Sequence, residues 1–253
     1  MMKTILITGA TSGFGKACAI RFAEAGWRLI LVGRREERLA TLKKRFEPKT
    51  PVLTIKLDIR DRQAVTESLS KIPEQFSAID VLVNNAGLAM GLTQAATADL
   101  DDWDTMIDTN VKGLTYCTRA ILPGMVKRNS GHIINIGSIA GNWPYAGGNV
   151  YGATKAFVKQ FSHNLRADLS GTNVRVTNIE PGLAETEFSI VRFKGDQEKA
   201  KKVYEDIKPL TAEDIAECVF WSVNLPEHVN INRIEVMPTC QTAGGLMVSK
   251  DKK

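Results

Sequence analysis

Cysteine and histidine are scarce in this chain of 253 residues, which has four cysteines and three histidines. The cysteines lie far apart and form no Cys-x-x-Cys pair, so the pattern indicates neither a zinc site nor a disulfide framework. Unpaired thiols of this kind are typical of a reducing compartment. We therefore expect a cytoplasmic protein without a bound metal.

Long apolar runs are also missing, and no stretch approaches the length needed to span a bilayer. The segment from Met1 to Ala10 is too short and too polar for a signal peptide. The net charge of +5 is spread along the chain, apart from small clusters such as Lys43 to Arg45. Solvated faces explain such clusters better than nucleic acid does. Neither a membrane nor a nucleic acid is an expected partner.

The composition, with 43% hydrophobic and 24% charged residues, fits one large α/β domain over residues 1–253. No linker, low-complexity run or repeat interrupts it. Apolar strands alternate with helical segments, which predicts a Rossmann-type, doubly wound parallel β-sheet with helices on both faces. Ligands of such sheets bind at the carboxyl ends of the strands. The predicted strands are Lys3–Thr8, Arg28–Val32, Val52–Leu57, Ile79–Val83, His132–Gly137, Val174–Ile179 and Ile231–Met237.

A glycine-rich turn follows the first strand, with the sequence Gly9-Ala-Thr-Ser-Gly13-Phe-Gly15. Glycine lets the backbone approach a pyrophosphate closely, and the amides that begin the next helix present partial positive charge to it. A plain tight turn would also need glycine, but the place between a strand and a helix favours a nucleotide. The predicted contacts are Gly9, Thr11, Ser12, Gly13, Phe14 and Gly15.

Two arginines, Arg34 and Arg35, stand after the second strand, where NAD-binding folds carry an acid for the ribose. A carboxylate there would repel a 2′-phosphate, whereas two guanidiniums can bind it with charge-assisted hydrogen bonds. The alternative is that they pair with Glu36 and Glu37 on the surface. The sequence favours NADP(H) as cofactor.

Two further strand ends carry candidate cofactor contacts. Asp58 is placed either to accept from an adenine amine or to cap the helix that follows Asp61. The small residues of Asn84-Asn-Ala-Gly87 leave room for a flat ring. Downstream, the helical region from Leu100 to Arg128 is interrupted near Asn110 and Gly113, which are both poor helix formers. Asn110 is either a satisfied surface side chain or marks a local opening that leads a water to the site.

Three polar side chains are predicted to meet around the fifth strand and the next helix. Ser138 sits where the strand ends, and Tyr151 and Lys155 are four residues apart, which places them on one helix face. An ammonium beside a phenol stabilises phenolate and lowers the tyrosine pKa from about 10, so that Tyr151 can act as a general acid or base. Ser138 would hold the oxygen on which it acts. The alternative is an ordinary amphipathic helix with an exposed lysine.

A substrate flap is predicted over about residues 183–210. Its first part, Leu183 to Gly195, has no clean period and carries Thr186, Arg192 and Lys194, which suggests a mobile cover over the pocket. The sequence Thr211-Ala-Glu-Asp214 is typical of a capping box and predicts a helix through Val223. The tail, residues 238–253, is weakly patterned.

These motifs, in this order, resemble the short-chain dehydrogenase/reductase family over essentially the whole chain. The motifs are Thr8-Gly-x-x-x-Gly-x-Gly15, Asn84-Asn-Ala-Gly87, Asn110, Ser138, Tyr151-x-x-x-Lys155 and Pro181-Gly182. The resemblance implies that Tyr151 transfers the proton, that Lys155 lowers its pKa and binds the nicotinamide ribose, that Ser138 orients the substrate oxygen, and that Asn110 orders a relay water. It also implies a homotetramer, and cofactor contacts at Asp58, Ile59, Asn85, Ala86, Gly87, Pro181, Gly182 and Thr186.

Four longer segments are similar to the NADP-dependent 3-hydroxy acid dehydrogenases that oxidise serine and L-allo-threonine. They are Met106-Ile-Asp-Thr-Asn110, Gly131-His-Ile-Ile-Asn-Ile-Gly137, Trp143-Pro-Tyr-Ala-Gly-Gly-Asn-Val-Tyr-Gly152 and Glu187-Phe-Ser-x-Val-Arg-Phe193. The likeness implies hydride transfer between NADP and the 3-hydroxyl of a small 3-hydroxy acid: serine, L-allo-threonine, 3-hydroxyisobutyrate, or the 3-hydroxypropionate/malonic semialdehyde pair. Arg192, with Lys194 as second choice, is the predicted partner of the substrate carboxylate.

Two alternatives stay open from the sequence. A general NADPH-dependent carbonyl or 3-oxoacyl reductase would share the catalytic residues but would need a longer apolar lining than a flap with arginine and lysine provides. A non-catalytic nucleotide-sensing protein of the same fold would be expected to lose Tyr151 or Lys155, and both are present.

Overall fold

The computed structural model describes residues 2–243, so residues 244–253 of the predicted tail lie outside the described part. The strands are β1 Thr4–Thr8, β2 Arg28–Gly33, β3 Val52–Lys56, β4 Val81–Asn84, β5 Gly131–Ile136, β6 Val174–Pro181 and β7 Arg233–Val236. The α-helices are α1 Gly13–Glu24, α2 Glu36–Phe46, α3 Arg62–Ser70, α4 Glu74–Ser77, α5 Leu100–Ile107, α6 Leu114–Arg128, α7 Asn149–Asp168, α8 Glu187–Arg192, α9 Gln197–Lys202 and α10 Ala212–Val223.

The seven strands form one parallel sheet in the order β3-β2-β1-β4-β5-β6-β7. The chain builds outward from β1 to β3, then crosses to the other side and continues from β4 to β7. The carboxyl ends of β1 and β4 therefore border the crevice at which the winding reverses, where ligands of this fold bind. The predicted Rossmann-type fold is confirmed.

The strand at the centre of the sheet shows why both faces carry helices. Ile5, Leu6 and Ile7 of β1 are all fully buried, because side chains alternate between the faces and each face is covered. Ile5 and Ile7 belong to a core with residues of α1 and α10, whereas Leu6 packs in a second core with residues of α6 and α7. These two layers fix the strand ends that form the site.

Two predicted segments differ in detail from the structure. The interruption near Asn110 is a π-helix, Asp108–Gly113, between α5 and α6. The predicted flap, about residues 183–210, contains α8 and α9, which begin at the caps Thr186 and Asp196. Each cap side chain accepts a backbone hydrogen bond. Helices of six residues are too short to give a recognisable period, so the local pattern did not reveal them.

Membrane-spanning helices and metal-binding clusters are both absent from the described residues. Among residues 2–243, no helix combines the length and apolarity that a bilayer crossing requires. The same residues contain no group of histidine, cysteine and carboxylate side chains arranged to hold a metal ion.

Candidate active site

The glycine turn after β1 lies directly against the end of β4. Gly9 has a φ of +65°, and a Cβ added there would lie 2.9 Å from the Cα of Ala86. Asn85 donates a side-chain hydrogen bond to the carbonyl of Thr8 at 2.9 Å, and the Thr8 hydroxyl accepts from the Ala86 amide at 3.0 Å. A Cβ on Gly15 would lie 2.4 Å from the Gly9 carbonyl oxygen. The turn is therefore tight because two backbones meet there.

An open cleft of roughly 1280 Å³, including its mouth, runs along the carboxyl ends of β1, β2, β4 and β5. Most predicted cofactor residues line it: Gly9, Thr11, Ser12, Gly13, Phe14, Arg34, Arg35, Asp58, Ile59, Asn85, Ala86, Gly87, Tyr151, Lys155 and Thr186. The glycine turn, the two arginine guanidiniums and the pair of Tyr151 and Lys155 thus lie along one cleft. Such an arrangement suits an elongated dinucleotide.

Several predicted residues do not line this cleft but stand beside or behind it: Gly15, Asn110, Ser138, Pro181, Gly182 and Arg192. Pro181 accepts a 3.5 Å hydrogen bond from the Ser138 hydroxyl, so it supports that side chain. A Cβ on Gly182 would lie 2.3 Å from the Gln241 amide oxygen, so this glycine faces the chain's later part. The prediction that Pro181 and Gly182 touch the cofactor gains no support from their position.

At the arginine end of the cleft, the predicted alternative pairing is absent. Glu36 pairs with Lys56 at 2.8 Å, whereas Arg35 donates to the Thr11 hydroxyl at 3.0 and 3.1 Å and to the Ser12 hydroxyl at 2.7 Å. These bonds hold the Arg35 guanidinium over the glycine turn.

Asp58 lies at the same end of the cleft and pairs with Arg60, which lowers the pKa of its carboxyl through hydrogen bonds. The helix cap proposed for it belongs instead to Asp61, whose side chain accepts from the Ala64 amide. Of the two roles left open by the sequence, capping is therefore excluded for Asp58.

Asn110 lies inside the π-helix with 1% of its surface exposed, so it is not a surface side chain. Its amide oxygen accepts from the Leu88 amide at 2.9 Å, and its amide nitrogen donates to the Leu88 carbonyl at 2.8 Å and to the Thr154 hydroxyl at 3.0 Å. These bonds tie α7 to the loop after β4 and use both donors of the Asn110 amide and one of the two lone pairs of its oxygen.

Tyr151 and Lys155 both face inward from α7 and are buried. The Lys155 ammonium donates to the Ile136 carbonyl at 2.8 Å and lies 5.8 Å from the Tyr151 ring centroid. A Cβ on Gly87 would lie 3.4 Å from this ammonium, which therefore stands at the floor of the cleft. The alternative of an exposed lysine on an ordinary amphipathic helix does not hold.

The electrostatics of the pair differ from the sequence expectation. Burial raises the pKa of Tyr151 to about 12, and this effect outweighs the opposing influence of the Arg192 charge and of the hydrogen bond with Ser138. Burial also lowers the pKa of Lys155 to about 8. Lys155 therefore does not lower the Tyr151 pKa as expected, because the Lys155 ammonium points to the Ile136 carbonyl and the cation nearer to the Tyr151 ring is Arg192. At neutral pH, Tyr151 is a protonated phenol.

Arg192 stands on the other side of Tyr151, at the end of α8. Its guanidinium carbon lies 5.2 Å from the Tyr151 ring centroid and 5.0 Å from that of Phe188, and it donates to the Tyr145 hydroxyl at 3.0 Å. Within the described residues, its Nε is buried and has no hydrogen-bond partner. A buried donor without a partner is costly, so Nε is available to a bound anion.

Lys194, the second choice for the substrate carboxylate, points elsewhere. Its ammonium lies 2.9 Å from a carboxylate oxygen of Asp102 and 3.8 Å from one of Asp99. Of the two candidates for the substrate carboxylate, Arg192 is therefore the one that lies beside Tyr151.

Four residues of this region escaped the site prediction: Arg38, Tyr145, Glu187 and Phe188. Each acts through contacts between segments far apart in sequence, as in the pair of Arg38 with Glu187 at 2.6 Å. Tyr145, Glu187 and Phe188 lie in segments that carry the family likeness, but that likeness did not show which side chains they contact.

Replacing Lys155 with methionine is expected to stabilise the fold. An ammonium whose pKa falls to about 8 on burial costs on the order of 3 kcal/mol in the folded protein below that pH. Allowing for the lost bond to Ile136, we expect the free energy of unfolding at pH 7 to rise by about 1–3 kcal/mol. The unfolded lysine keeps its proton until about pH 10.5, so wild-type stability increases between pH 8 and 10.5 and the difference between the proteins shrinks.

Urea unfolding of both proteins at pH 7 and pH 10 measures this effect. Lys159→Met is the matched control, since Lys159 lies one turn further along α7 and is only half-buried, where it donates to the Asn142 side chain. A Lys155→Met protein less stable than wild type at pH 7 would contradict the argument.

Comparison with known proteins finds relatives along nearly the whole chain. The model of the short chain dehydrogenase family matches residues 3–197. An NADP-dependent 3-hydroxy acid dehydrogenase of Salmonella typhi is 62% identical over 247 residues, covering 97% of this chain and 99% of that protein. Sulfoacetaldehyde reductase 2 of Chromohalobacter salexigens is 54% identical over 252 residues, covering 99% of this chain and 100% of that protein. The solved closed form of serine dehydrogenase complexed with NADP+ has a TM-score of 0.93 and 57% identity, covering 98% of this chain and 100% of that one.

Proposed function

Since this chain belongs to the short chain dehydrogenase family, we propose that it oxidises the 3-hydroxyl of a small 3-hydroxy acid, or reduces the corresponding oxo acid. Serine, L-allo-threonine, 3-hydroxyisobutyrate and 3-hydroxypropionate represent the substrate class. The observation that carries the proposal is Arg192, a cation with an unpartnered buried Nε beside the ring of Tyr151.

The chain is an NADP-dependent oxidoreductase. NADP(H) supplies or accepts the hydride. The chain's residues handle the proton and the charges: the Tyr151 phenol gives its proton to the substrate oxygen during reduction and takes it back during oxidation. Ser138, which lies near enough to the phenol to lower its pKa, is placed to orient the same oxygen. Lys155 adds positive charge at the floor of the cleft, and Asn110 fixes α7 through Thr154.

The anion end of the substrate is the point at which the proposal becomes specific. A carboxylate that enters a closed site loses water and needs a charged partner there. Arg192 is held by the Tyr145 hydroxyl and by the faces of Tyr151 and Phe188, so its guanidinium is positioned before substrate arrives. A group two carbons from the reacting hydroxyl can then meet Arg192 while the hydroxyl meets Tyr151.

Arg192→Met is expected to raise KM for serine and 3-hydroxyisobutyrate, with about a 10- to 100-fold loss of kcat/KM, because a charge-assisted bond is worth about 1.5–3 kcal/mol. An uncharged secondary alcohol of similar size should be oxidised about as well as before. Lys194→Met is the matched control. It removes the same charge at a position two residues after Arg192, where the lysine pairs with Asp102. Equal losses on charged and uncharged substrates would show that Arg192 supports the fold, and the proposal would fail.

A second candidate is the reduction of a small sulfonated aldehyde, which the 54% identity to sulfoacetaldehyde reductase 2 favours. A sulfonate is also an anion that a guanidinium can bind, so Arg192 alone does not separate the two classes. Comparing kcat/KM for sulfoacetaldehyde and for malonic semialdehyde decides between them. A general carbonyl or 3-oxoacyl reductase would instead favour long apolar substrates over both.

The proposal extends to assembly and place in the cell. Large apolar side chains stand on the surface, among them Trp221 at 54% exposure on α10 and Phe157 at 37% on α7, and a homotetramer would cover such positions. Light scattering after gel filtration gives the subunit number. The four cysteines are free, which supports a cytoplasmic enzyme.

A further inference from the structure

A carboxylate of the segment after β6 reaches across the mouth of the cleft to α2. One oxygen of Glu187 lies 2.8 Å from Nη1 of Arg35, and its other oxygen lies 2.6 Å from Nη1 of Arg38. The carboxylate thus binds both guanidiniums, one through each oxygen, at the end of the cleft where Arg34 and Arg35 were predicted to bind a 2′-phosphate.

Four of the five N–H donors of Arg35 are engaged in this arrangement. Its Nε and Nη2 donate to the Thr11 hydroxyl, its Nη2 also donates to the Ser12 hydroxyl, and its Nη1 donates one hydrogen to Glu187. A phosphate monoester that binds Arg35 at Nη1 meets the like charge of the Glu187 carboxylate on the same nitrogen, which favours displacement of Glu187. The exchange is favourable because a phosphate carries about 1.5 to 2 negative charges and a carboxylate carries one.

The same helix links this end of the cleft to the substrate end. Glu187 is the first residue of α8 and Arg192 is the last, so one short helix holds the carboxylate at α2 and the guanidinium at Tyr151. Thr186, the cap of α8, stands against the glycine turn, since a Cβ added to Gly13 would lie 3.4 Å from the Cβ of Thr186. Release of Glu187 therefore frees the first residue of α8, which lines the cleft.

We infer that Glu187 competes with the 2′-phosphate of NADP(H) for Arg35, and that Arg38, once released from Glu187, joins the phosphate-binding set. Glu187 then lowers the affinity for NADP(H) and leaves the affinity for NAD(H) unchanged, since only NADP(H) carries the 2′-phosphate that competes with Glu187 for Arg35. The opposite role would be that of a buttress, in which Glu187 orients the arginines and its loss weakens NADP(H) binding. The two roles predict effects of opposite sign.

The side chains are well exposed, at 40% for Glu187, 41% for Arg35 and 47% for Arg38, which limits the size of the effect. Exposed ion pairs are individually weak and are screened by salt. We therefore expect Glu187→Gln to tighten NADPH binding by about twofold to tenfold at low ionic strength, and less at high salt.

Titration of the whole protein with NADPH and with NADH, followed by nucleotide fluorescence, tests the inference without relying on turnover. Glu36→Gln is the matched control, because it makes the same charge change next to Arg35 from a carboxylate that pairs with Lys56. Tighter NADPH binding by Glu187→Gln alone, with NADH affinity unchanged, supports competition. Equal tightening by both variants, equal changes for both cofactors, or weaker NADPH binding would each overturn it.

The role of Arg38 is tested in the Glu187→Gln background, in which the carboxylate that pairs with Arg38 has been replaced by an amide. There, adding Arg38→Gln should weaken NADPH binding several-fold and leave NADH unchanged; no effect would remove Arg38 from the phosphate-binding set. The inference rests on the proposed contact of Arg35 with the 2′-phosphate. Charge reversal at Arg35 tests that contact separately, so a failure of competition is distinguishable from a failure of the contact itself.

Discussion

Replacing Tyr151 with phenylalanine is expected to lower kcat by about 10²- to 10⁴-fold while NADPH binding is retained. The change removes one hydroxyl and keeps the ring that packs 5.6 Å, centroid to centroid, from Phe188. In the proposed mechanism the phenol exchanges a proton with the substrate oxygen, since Lys155 donates to the Ile136 carbonyl and Ser138 to the Pro181 carbonyl. Steady-state kinetics together with NADPH titration measures both parts of the expectation.

Tyr116→Phe is the control for this experiment, because Tyr116 lies on α6 and packs against the core that contains Leu6, away from the cleft. It should leave kcat close to the wild-type value. Substantial turnover by Tyr151→Phe would remove this tyrosine from its role as proton donor and acceptor. A joint loss of turnover and NADPH binding would mean that the Tyr151 hydroxyl binds the cofactor and is not needed for proton transfer.

The pH dependence follows from the raised pKa of Tyr151, which is about 12. The protonated phenol is the form needed for reduction, and it persists through neutral and moderately alkaline pH. Oxidation needs the phenolate, so its rate should increase with pH as long as the protein stays folded. The Arg192 charge opposes the effect of burial on the Tyr151 pKa. The residue proposed to bind the substrate carboxylate therefore also influences the protonation of Tyr151.

The parts of the site that sequence reasoning located have short-range signatures. The turn after β1 was recognisable because its glycines follow a strand and precede a helix, and the pair of Tyr151 and Lys155 because four residues make one helical turn. The parallel, doubly wound sheet followed from the alternation of strands and helices along the chain together with the rule for parallel crossovers. For the turn and for the Tyr151–Lys155 pair, the information lies within a few consecutive residues.

The parts that sequence reasoning missed depend on where distant segments meet. Glu187 gains its role from Arg35 and Arg38, which lie about 150 residues earlier in the chain. The orientation of Lys155 depends on Ile136, and the tyrosine pKa depends on how completely α8 covers the ring. Burial and long-range pairing decide these features, and neither is written in the spacing of residues.

Reversing the charge of Arg34 and Arg35 together is expected to cost the enzyme several kcal/mol of its preference for NADP over NAD. Arg35 is fixed above the glycine turn by Thr11 and Ser12, so its guanidinium is already placed for a phosphate. Arg34 is 59% exposed and its Nη1 lies 3.9 Å from Asp58, which leaves it free to turn toward the ribose. Two glutamates would repel the 2′-phosphate and offer acceptors to an unphosphorylated ribose.

The measurement is the ratio of kcat/KM for NADP and NAD in the wild type and in Arg34→Glu/Arg35→Glu. Lys43→Glu/Lys44→Glu is the matched control, because both lysines stand in the last turn of α2, where they make the same charge change remote from the glycine turn. The control pair should reduce the NADP preference only slightly, through the overall charge, whereas the site pair should bring the ratio to or below one. If the two double variants changed the ratio equally, long-range charge would account for the preference, and the 2′-phosphate would not be held by Arg34 and Arg35.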